Sequence, residues 1–282
     1  MRNTLELSVM PPDPQHHALI DRVPRAVGRF VVDFGELLLA PLRMPERNPA
    51  LLGLAAYARE DMARMRRQPV RVVRPVVLLN GYHAWHGVVA SLQRTLVQLI
   101  SQRETDFFDV SYAAMTDFAA VRRRVIDEIE RVHGLETEVD LVGISMGGLV
   151  SRMIAREWPG DSRVVRVHRI FTIASPHAGA RLARHVHVDA AARDMIAGSA
   201  MLTQLNGVTQ ARLRCYAQLN DTIVGATNTA PPGMQPFWSA GTAIMSHFTT
   251  IRNPLILADI ARCLRNEPPL LQSHAASRPV CD

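Results

Sequence analysis

A glycine-flanked serine is the first feature of the chain that could carry chemistry. The predicted strand Val139–Val142 leads directly into Gly-Ile-Ser-Met-Gly-Gly, a G-x-S-x-G motif, and a helical pattern follows. The motif predicts a sharp strand-to-helix turn, in which a Cβ atom at Gly143 or Gly147 would collide with neighbouring elements. Such a turn lifts the Ser145 hydroxyl above the sheet edge, at the positive end of the helix. We therefore interpret Ser145 as a nucleophile; the alternative is a glycine-rich turn with an incidental serine.

The composition of the chain excludes several other chemistries. All 32 basic residues are arginine, because the sequence contains no lysine. Schiff-base, pyridoxal-phosphate and phosphate-loop sites each need a lysine amine, so none of them is expected. The net charge of +6 would suit nucleic acid, but aromatic residues are only 5% and no zinc-finger or aromatic RNA-binding motif occurs. We expect no nucleic-acid partner.

Cysteines and histidines do not indicate a metal centre. The cysteines form no C-x-x-C pair and predict neither a zinc site nor a disulfide framework; they are Cys215, Cys263 and Cys281. Two histidine pairs have spacings that could ligate a metal, but no carboxylate or cysteine completes either set; they are His83 with His86, and His185 with His187. We expect no metal and no cofactor.

Strands and helices alternate over residues 68–266, which predicts a mostly parallel α/β sheet with helices on both faces. The predicted strands are Val76–Leu79, Phe107–Tyr112, Val139–Ile144, Val167–Ala174, Leu213–Leu219 and Phe237–Ala240. The predicted helices are Val88–Ile100, Val121–Val132, Leu149–Trp158 and Pro254–Leu264. Right-handed crossovers place the carboxyl ends of all strands at one edge, where sites of open α/β sheets are built.

The two ends of the chain differ in pattern from the middle. Residues 1–67 predict a helical N-terminal extension that packs on the core or precedes it, and 267–282 a disordered tail. The helix Leu19–Leu39 has two interpretations: packing on the core, which its acidic residues favour, or contact with a membrane surface. No long uncharged apolar run and no signal-peptide pattern occurs, so the expected location is the cytoplasm, with membrane association left open.

Several segments together resemble the α/β-hydrolase superfamily, and within it the lipase-like members. The resemblance runs from Pro75 to Leu264. Pro75–Tyr82 is similar to the strand that leads into the family's oxyanion loop. Ile170–Gly179, with its Ser-Pro-His-Ala-Gly, is similar to the lipase strand that ends in Thr-Pro-His-x-Gly, and the residues from Asp194 to Asn206 resemble the segment that follows. The resemblance implies an α/β-hydrolase fold and a serine hydrolase.

A serine hydroxyl needs a base, and the base needs a carboxylate that orients it. The family order is serine, acid, histidine, which implies Asp221 as the acid, because it follows a strand in the pattern Asp-x-x-Val. Asp189 and Asp194 are rival acids in helical or loop segments. His247, after the last strand, holds the family's histidine position. His274 in the tail and His177, whose position is usually structural in lipase-like relatives, are the rival bases.

The resemblance also implies an oxyanion hole made by the backbone N–H groups of Tyr82 and Met146. The chain departs from the family pattern at three positions: Asn80 stands where histidine is usual, Ile144 precedes the serine where histidine is common, and Ser246 precedes His247 where glycine is common. None of these positions has a triad role, so they bear on the subfamily and the substrate.

The resemblance implies an esterase of the lipase or carboxylesterase type, which acts on a small-molecule or lipid ester through an acyl-enzyme. An acyltransferase or thioesterase on the same triad is an alternative. A non-catalytic lipid- or partner-binding protein with the same fold is another.

Overall fold

The computed structural model of the chain describes residues 54–84, 86–112, 114–185, 188–206, 212–241 and 245–271. The predicted helix Leu19–Leu39 and the other residues of the N-terminal extension before Leu54 lie outside these ranges. The rival base His274 lies outside them too, and so does His187.

Six parallel strands form a single sheet in the order β2-β1-β3-β4-β5-β6. The strands are β1 (Val76–Leu79), β2 (Phe107–Val110), β3 (Val139–Ile144), β4 (Val167–Ile173), β5 (Leu213–Gln218) and β6 (Phe237–Ser239). All six predicted strands are present, and β1 and β3 have the predicted bounds. The mostly parallel sheet of the predicted fold class is confirmed.

Helices cover the sheet. They are α1 (Leu54–Arg67), α2 (His86–Leu99), α3 (Phe118–His133), α4 (Met146–Ile154), α5 (Ala190–Asp194), α6 (Ala200–Leu205), α7 (Ser246–Thr249) and α8 (Pro254–Leu264). Short 3₁₀ turns cover Glu104–Asp106, Leu182–Arg184, Ala226–Thr229 and Thr250–Arg252. None of the helices in the described ranges is both long enough and apolar enough to cross a membrane.

The core has two apolar layers, one on each face of the sheet. Successive strand residues point to opposite faces, so Val77 and Leu79 share one apolar cluster with α3 and α4. Val76, Leu78 and Val142 share the other cluster with α1, α2 and α8. Because both faces are covered, all residues of β1 and β3 are buried, as their mainly apolar sequences predict.

The strand order reverses between β1 and β3. β1 leads by way of α2 to β2 on one side, and the chain then returns to place β3 on the other side of β1. Loops that follow the two central strands therefore diverge and leave a crevice at the carboxyl edge of the sheet. Tyr82 follows β1 and Ser145 follows β3, so both candidate residues lie at this crevice.

The two ends of the described chain pack on the same layer. α1 contacts α8, and its Ala58 and Met65 are fully buried in the apolar cluster of α8. Leu271 is also buried, and its backbone N–H donates a hydrogen bond to the Asp259 carboxylate. The packed domain therefore extends to Leu271, beyond the predicted boundary at residue 266, because Leu271 buries its side chain and bonds its backbone there.

A buried carboxylate joins α1 to α8. Asp61 in α1 accepts hydrogen bonds from Arg64 Nε at 2.8 Å and from Arg262 Nη1 of α8 at 3.0 Å. Only 4% of its side chain is exposed, while its two partners retain contact with water. Removing a buried partner leaves the opposite charges uncompensated.

We predict that Asp61→Ala lowers the free energy of unfolding by about 2–3 kcal/mol, because the buried carboxylate and its bonds to Arg64 and Arg262 are lost. Chemical denaturation measures this difference. Glu60→Ala is the matched control, since it removes the same charge from an exposed position of the same helix and should change stability by less than about 0.5 kcal/mol. Equal losses in the two variants would show that the ion pairs contribute nothing.

Candidate active site

Ser145 occupies the turn between β3 and α4 in a strained backbone conformation. Its φ is 51° and its ψ is −120°, a region that residues with a Cβ atom rarely adopt. The turn is possible because Gly147 lies against the end of β1: a Cβ atom there would be 2.3 Å from the Leu79 carbonyl oxygen. A Cβ atom at Gly143 would lie 2.5 Å from the backbone of Gly147. The predicted strand–turn–helix geometry of the motif is present.

Asp221 and His247 lie within hydrogen-bonding distance, although 26 positions separate them in the chain. His247 Nδ1 is 3.0 Å from Asp221 Oδ2. The other carboxylate oxygen accepts the backbone N–H groups of Ile223 and Val224, both at 2.9 Å. Asp221 is buried, so these three bonds satisfy the carboxylate and hold it in one orientation. Because the carboxylate only accepts, Nδ1 carries the hydrogen, and Nε2 is left as the basic nitrogen.

The short helix that carries His247 is anchored to the end of β5. The Ser246 hydroxyl, fully buried, donates to the Leu219 carbonyl oxygen at 2.7 Å. The Thr249 hydroxyl donates to Gln218 Oε1 at 2.7 Å. These contacts explain why serine can precede the histidine in place of the family's glycine. They fix His247 next to the strand that Asp221 follows.

Ser145 and His247 line the same cleft, whose volume is about 550 Å³. The loop after β1 forms another wall of it with Tyr82, and a Cβ atom on Gly81 would be 3.4 Å from Ser145 Cβ. The remaining wall is mainly apolar and includes Val88, Ile144, Met245, Phe248 and Ile251, with the exposed Arg252 beside them. A carbonyl compound bound in this cleft would lie against the walls that Ser145 and His247 form.

The two predicted oxyanion donors belong to the two segments that adjoin Ser145, the start of α4 and the loop after β1. Met146 is the first residue of α4, and the first N–H groups of a helix have no partner within it. Tyr82 lies in the loop after β1, on the cleft wall. Asn80 closes this loop: its Oδ1 accepts the Gly81 N–H at 2.9 Å and its Nδ2 donates to the Ala84 carbonyl at 3.3 Å. Asn80 thus shapes the loop at the position where the family has histidine.

The rival acids lie elsewhere. Asp189 caps the N-terminus of α5 and accepts a hydrogen bond from the Tyr82 hydroxyl at 2.7 Å. Asp194 ends α5, where burial and the nearby Asp117 raise its pKa. The sequence indicates Asp189 only as an alternative to Asp221. Its contact with Tyr82 could not be predicted, since no local pattern links positions 107 residues apart.

His83, from the first histidine pair considered as metal ligands, lines the cleft. His185, from the second pair, is exposed. Within the described ranges, no cluster of three or more histidine, cysteine or acidic residues could hold a metal ion.

The rival base His177 follows β4 and is fully buried. Its Nδ1 is 3.2 Å from Arg152 Nη1, and its Nε2 is 3.0 Å from the Thr172 hydroxyl. Burial, with the nearby Arg152 guanidinium, lowers the pKa of His177 well below its ordinary value. His177 is therefore neutral at pH 7, and its two ring nitrogens are both occupied by structural contacts.

Comparison with known proteins identifies the class of this architecture. Residues 116–240 match a family model described as a domain of unknown function, DUF7379. Phospholipase PlaB from Legionella pneumophila, in complex with thio-NAD, is similar with a TM-score of 0.52 and 12% identity, over 68% of this chain and 59% of that one. Lipase B from Aspergillus fumigatus has a TM-score of 0.51 and 15% identity, over 70% of this chain and 53% of that one. A comparison with curated protein sequences finds no match.

The chain thus spans little more than half the length of these two similar structures. Its parallel sheet, with a strained serine turn after a central strand and helices on both faces, defines a three-layer α/β protein. More particularly, it has an α/β-hydrolase-like fold, which confirms the fold class that the sequence predicted.

The depressed pKa of His177 predicts a pH-dependent contribution to stability. The unfolded chain takes up a proton below about pH 6.5 while the folded chain does not, so stability falls as the pH falls below that value, by about 1.4 kcal/mol per unit. His177→Gln cannot titrate. The difference in free energy of unfolding between wild type and this variant should therefore be about 1 kcal/mol smaller near pH 5.5 than near pH 7.5. His185→Gln, at an exposed position, is the control. If the difference in free energy of unfolding between wild type and His177→Gln is the same at both pH values, His177 does not have a depressed pKa.

Proposed function

We propose that the protein is a serine ester hydrolase, of the lipase or carboxylesterase type, with Ser145, His247 and Asp221 as its catalytic triad. The observation that supports this most directly is the Asp221–His247 hydrogen bond behind a cleft lined by both Ser145 and His247. A histidine held in one tautomer beside a serine nucleophile is what acyl transfer requires.

In the proposed reaction the Ser145 hydroxyl attacks the ester carbonyl, and His247 Nε2 takes its proton. Asp221 stabilises the imidazolium that forms. The N–H groups of Met146 and Tyr82 bind the negatively charged oxygen of the tetrahedral intermediate. His247 then returns the proton to the departing alcohol, which leaves an acyl-enzyme. Water, activated by the same histidine, attacks the acyl-enzyme and releases the acid and free Ser145.

The substrate class follows from the walls of the cleft. Its mainly apolar side chains favour an apolar acyl group over a charged one, since a charged group would lose water where it lies against them. The two similar structures are named a phospholipase and a lipase, which agrees with a lipid-like ester. A small-molecule or lipid ester is therefore the proposed substrate.

We predict that the purified protein hydrolyses p-nitrophenyl acyl esters and that Ser145→Ala reduces kcat at least about 10³-fold, because the nucleophile is removed. Ser145→Ala should also abolish covalent labelling by a fluorophosphonate. Ser111→Ala, at an exposed serine, is the control for both measurements.

Esters of graded chain length report the acyl preference, and product analysis with added alcohol or thiol detects acyl transfer to an acceptor other than water. A folded wild type that neither labels nor hydrolyses would favour a non-catalytic binding protein.

Asp221→Asn should lower kcat by about 10³–10⁴-fold with little change in KM, because an amide in place of the carboxylate permits the wrong imidazole tautomer. Asp194→Asn is the matched control, since Asp194 is one of the two rival acids, and its kcat should stay within about twofold of the wild type. Steady-state kinetics with one p-nitrophenyl ester measures both. The reverse result would assign the acid to Asp194.

A further inference from the structure

The loop that carries the predicted Tyr82 oxyanion donor contains strained backbone. His83, the next residue, has a φ of 46°, in the left-handed region that residues other than glycine rarely occupy. Such a conformation persists only where surrounding contacts hold it. The loop also lies in contact range of Ser145, through Gly81, so a shift of its backbone would displace the donor relative to the nucleophile.

Contacts near β1 hold the base of this loop. Asn80 bonds to both Gly81 and Ala84, and the buried Tyr112 hydroxyl donates to the Asn80 carbonyl oxygen. These bonds secure the two ends of the loop. They do not restrain the Tyr82 side chain.

Asp189 holds the outer part of the loop. The Tyr82 hydroxyl donates to Asp189 Oδ2 at 2.7 Å, and His83 Nε2 is 3.3 Å from the same oxygen. Burial, and after it the hydrogen bond to Asp189, raises the pKa of Tyr82 to about 12, so the phenol remains a donor at neutral pH. Since the phenol and the backbone N–H belong to one residue, fixing the ring limits rotation of the amide.

Asp189 is itself held in place. Its Oδ1 accepts the Ala192 N–H at 2.9 Å at the N-terminus of α5, and the Ala191 N–H donates to the Thr116 carbonyl at 2.8 Å. Burial raises the pKa of Asp189, but the hydrogen bonds from Tyr82, Ala192 and His83 outweigh it, and the net shift is downward. A charged, fixed acceptor therefore faces the Tyr82 hydroxyl.

We propose that Asp189 is a positioning residue for the oxyanion hole, which acts through its hydrogen bond to the Tyr82 hydroxyl. The segment between β4 and β5 then has a role in transition-state binding, although its carboxylate does not contact the reacting atoms. This proposal rests on the proposed function for its catalytic consequence. Its structural consequence, a loop restrained at residues 80–84, can be measured without any activity.

Two substitutions remove the bond from either side with little other change. Asp189→Ser keeps a helix cap, since a serine hydroxyl also accepts the first N–H groups of a helix, but it has no second oxygen to accept the Tyr82 hydroxyl. Tyr82→Phe removes the donor and keeps the ring. Asp117→Ser is the matched control, because Asp117 caps α3 through the same kind of bond, to the Ala120 N–H.

We expect each of the two substitutions to lower kcat for p-nitrophenyl butyrate about tenfold, with KM changed by less than about twofold. Ki for phenylboronic acid, which forms a tetrahedral adduct with a serine nucleophile, should rise by the same factor as kcat falls. The double variant should resemble either single variant, because both remove the same bond. Asp117→Ser should match the wild type in all three quantities.

Hydrogen exchange of residues 80–84 gives the second readout. Exchange should be faster in Asp189→Ser and Tyr82→Phe than in the wild type and in Asp117→Ser. Wild-type exchange in both variants would overturn the proposal, and so would losses of kcat that multiply in the double variant. If the wild type has no esterase activity, the proposed function fails, while the exchange comparison still decides whether Asp189 restrains the loop.

Discussion

The candidate site depends on a steric constraint: α4 must pass over the ends of β1 and β3 with almost no space between the backbones. Gly147 meets this constraint, because a Cβ atom there would lie 2.3 Å from the Leu79 carbonyl oxygen. The close approach permits the positive φ of Ser145 and brings the loop after β1 beside the serine. The hydroxyl, the helix N-terminus and the loop with Tyr82 are together because two strands and a helix meet without side chains between them.

Residues that depart from the family pattern build the same geometry by other contacts. Asn80 joins the two ends of the loop after β1, and Ser246 ties the helix that carries His247 to Leu219, the residue after β5. In both cases a short polar side chain bonds to backbone in place of the usual residue. Asp189, on a segment remote in sequence, adds a third contact to this set through the Tyr82 hydroxyl. The serine turn thus follows the family pattern, whereas the residues that support it do not.

Much of the fold could be predicted because the apolar runs are short, continuous and separated by helical patterns. β1, β3 and α8 have the predicted bounds, since a fully buried strand or an amphipathic helix has a strong local signal. The helix after Ser145 was predicted to begin at Leu149 but begins at Met146, since glycines obscure a helical pattern. The short helices α5, α6 and α7 were not predicted, because four to six residues show too little periodicity.

The sequence by itself determined the serine turn and the order of strands and helices, because these follow from local sterics and from hydrophobic periodicity. It also singled out Asp221 and His247 through the resemblance. Only the tertiary structure decided that these two side chains meet at 3.0 Å, that His177 is buried against Arg152, and that Asp189 contacts Tyr82. The physical reason is that such contacts join residues far apart in the chain. Their distances depend on how the strands and helices pack together, which no local pattern specifies.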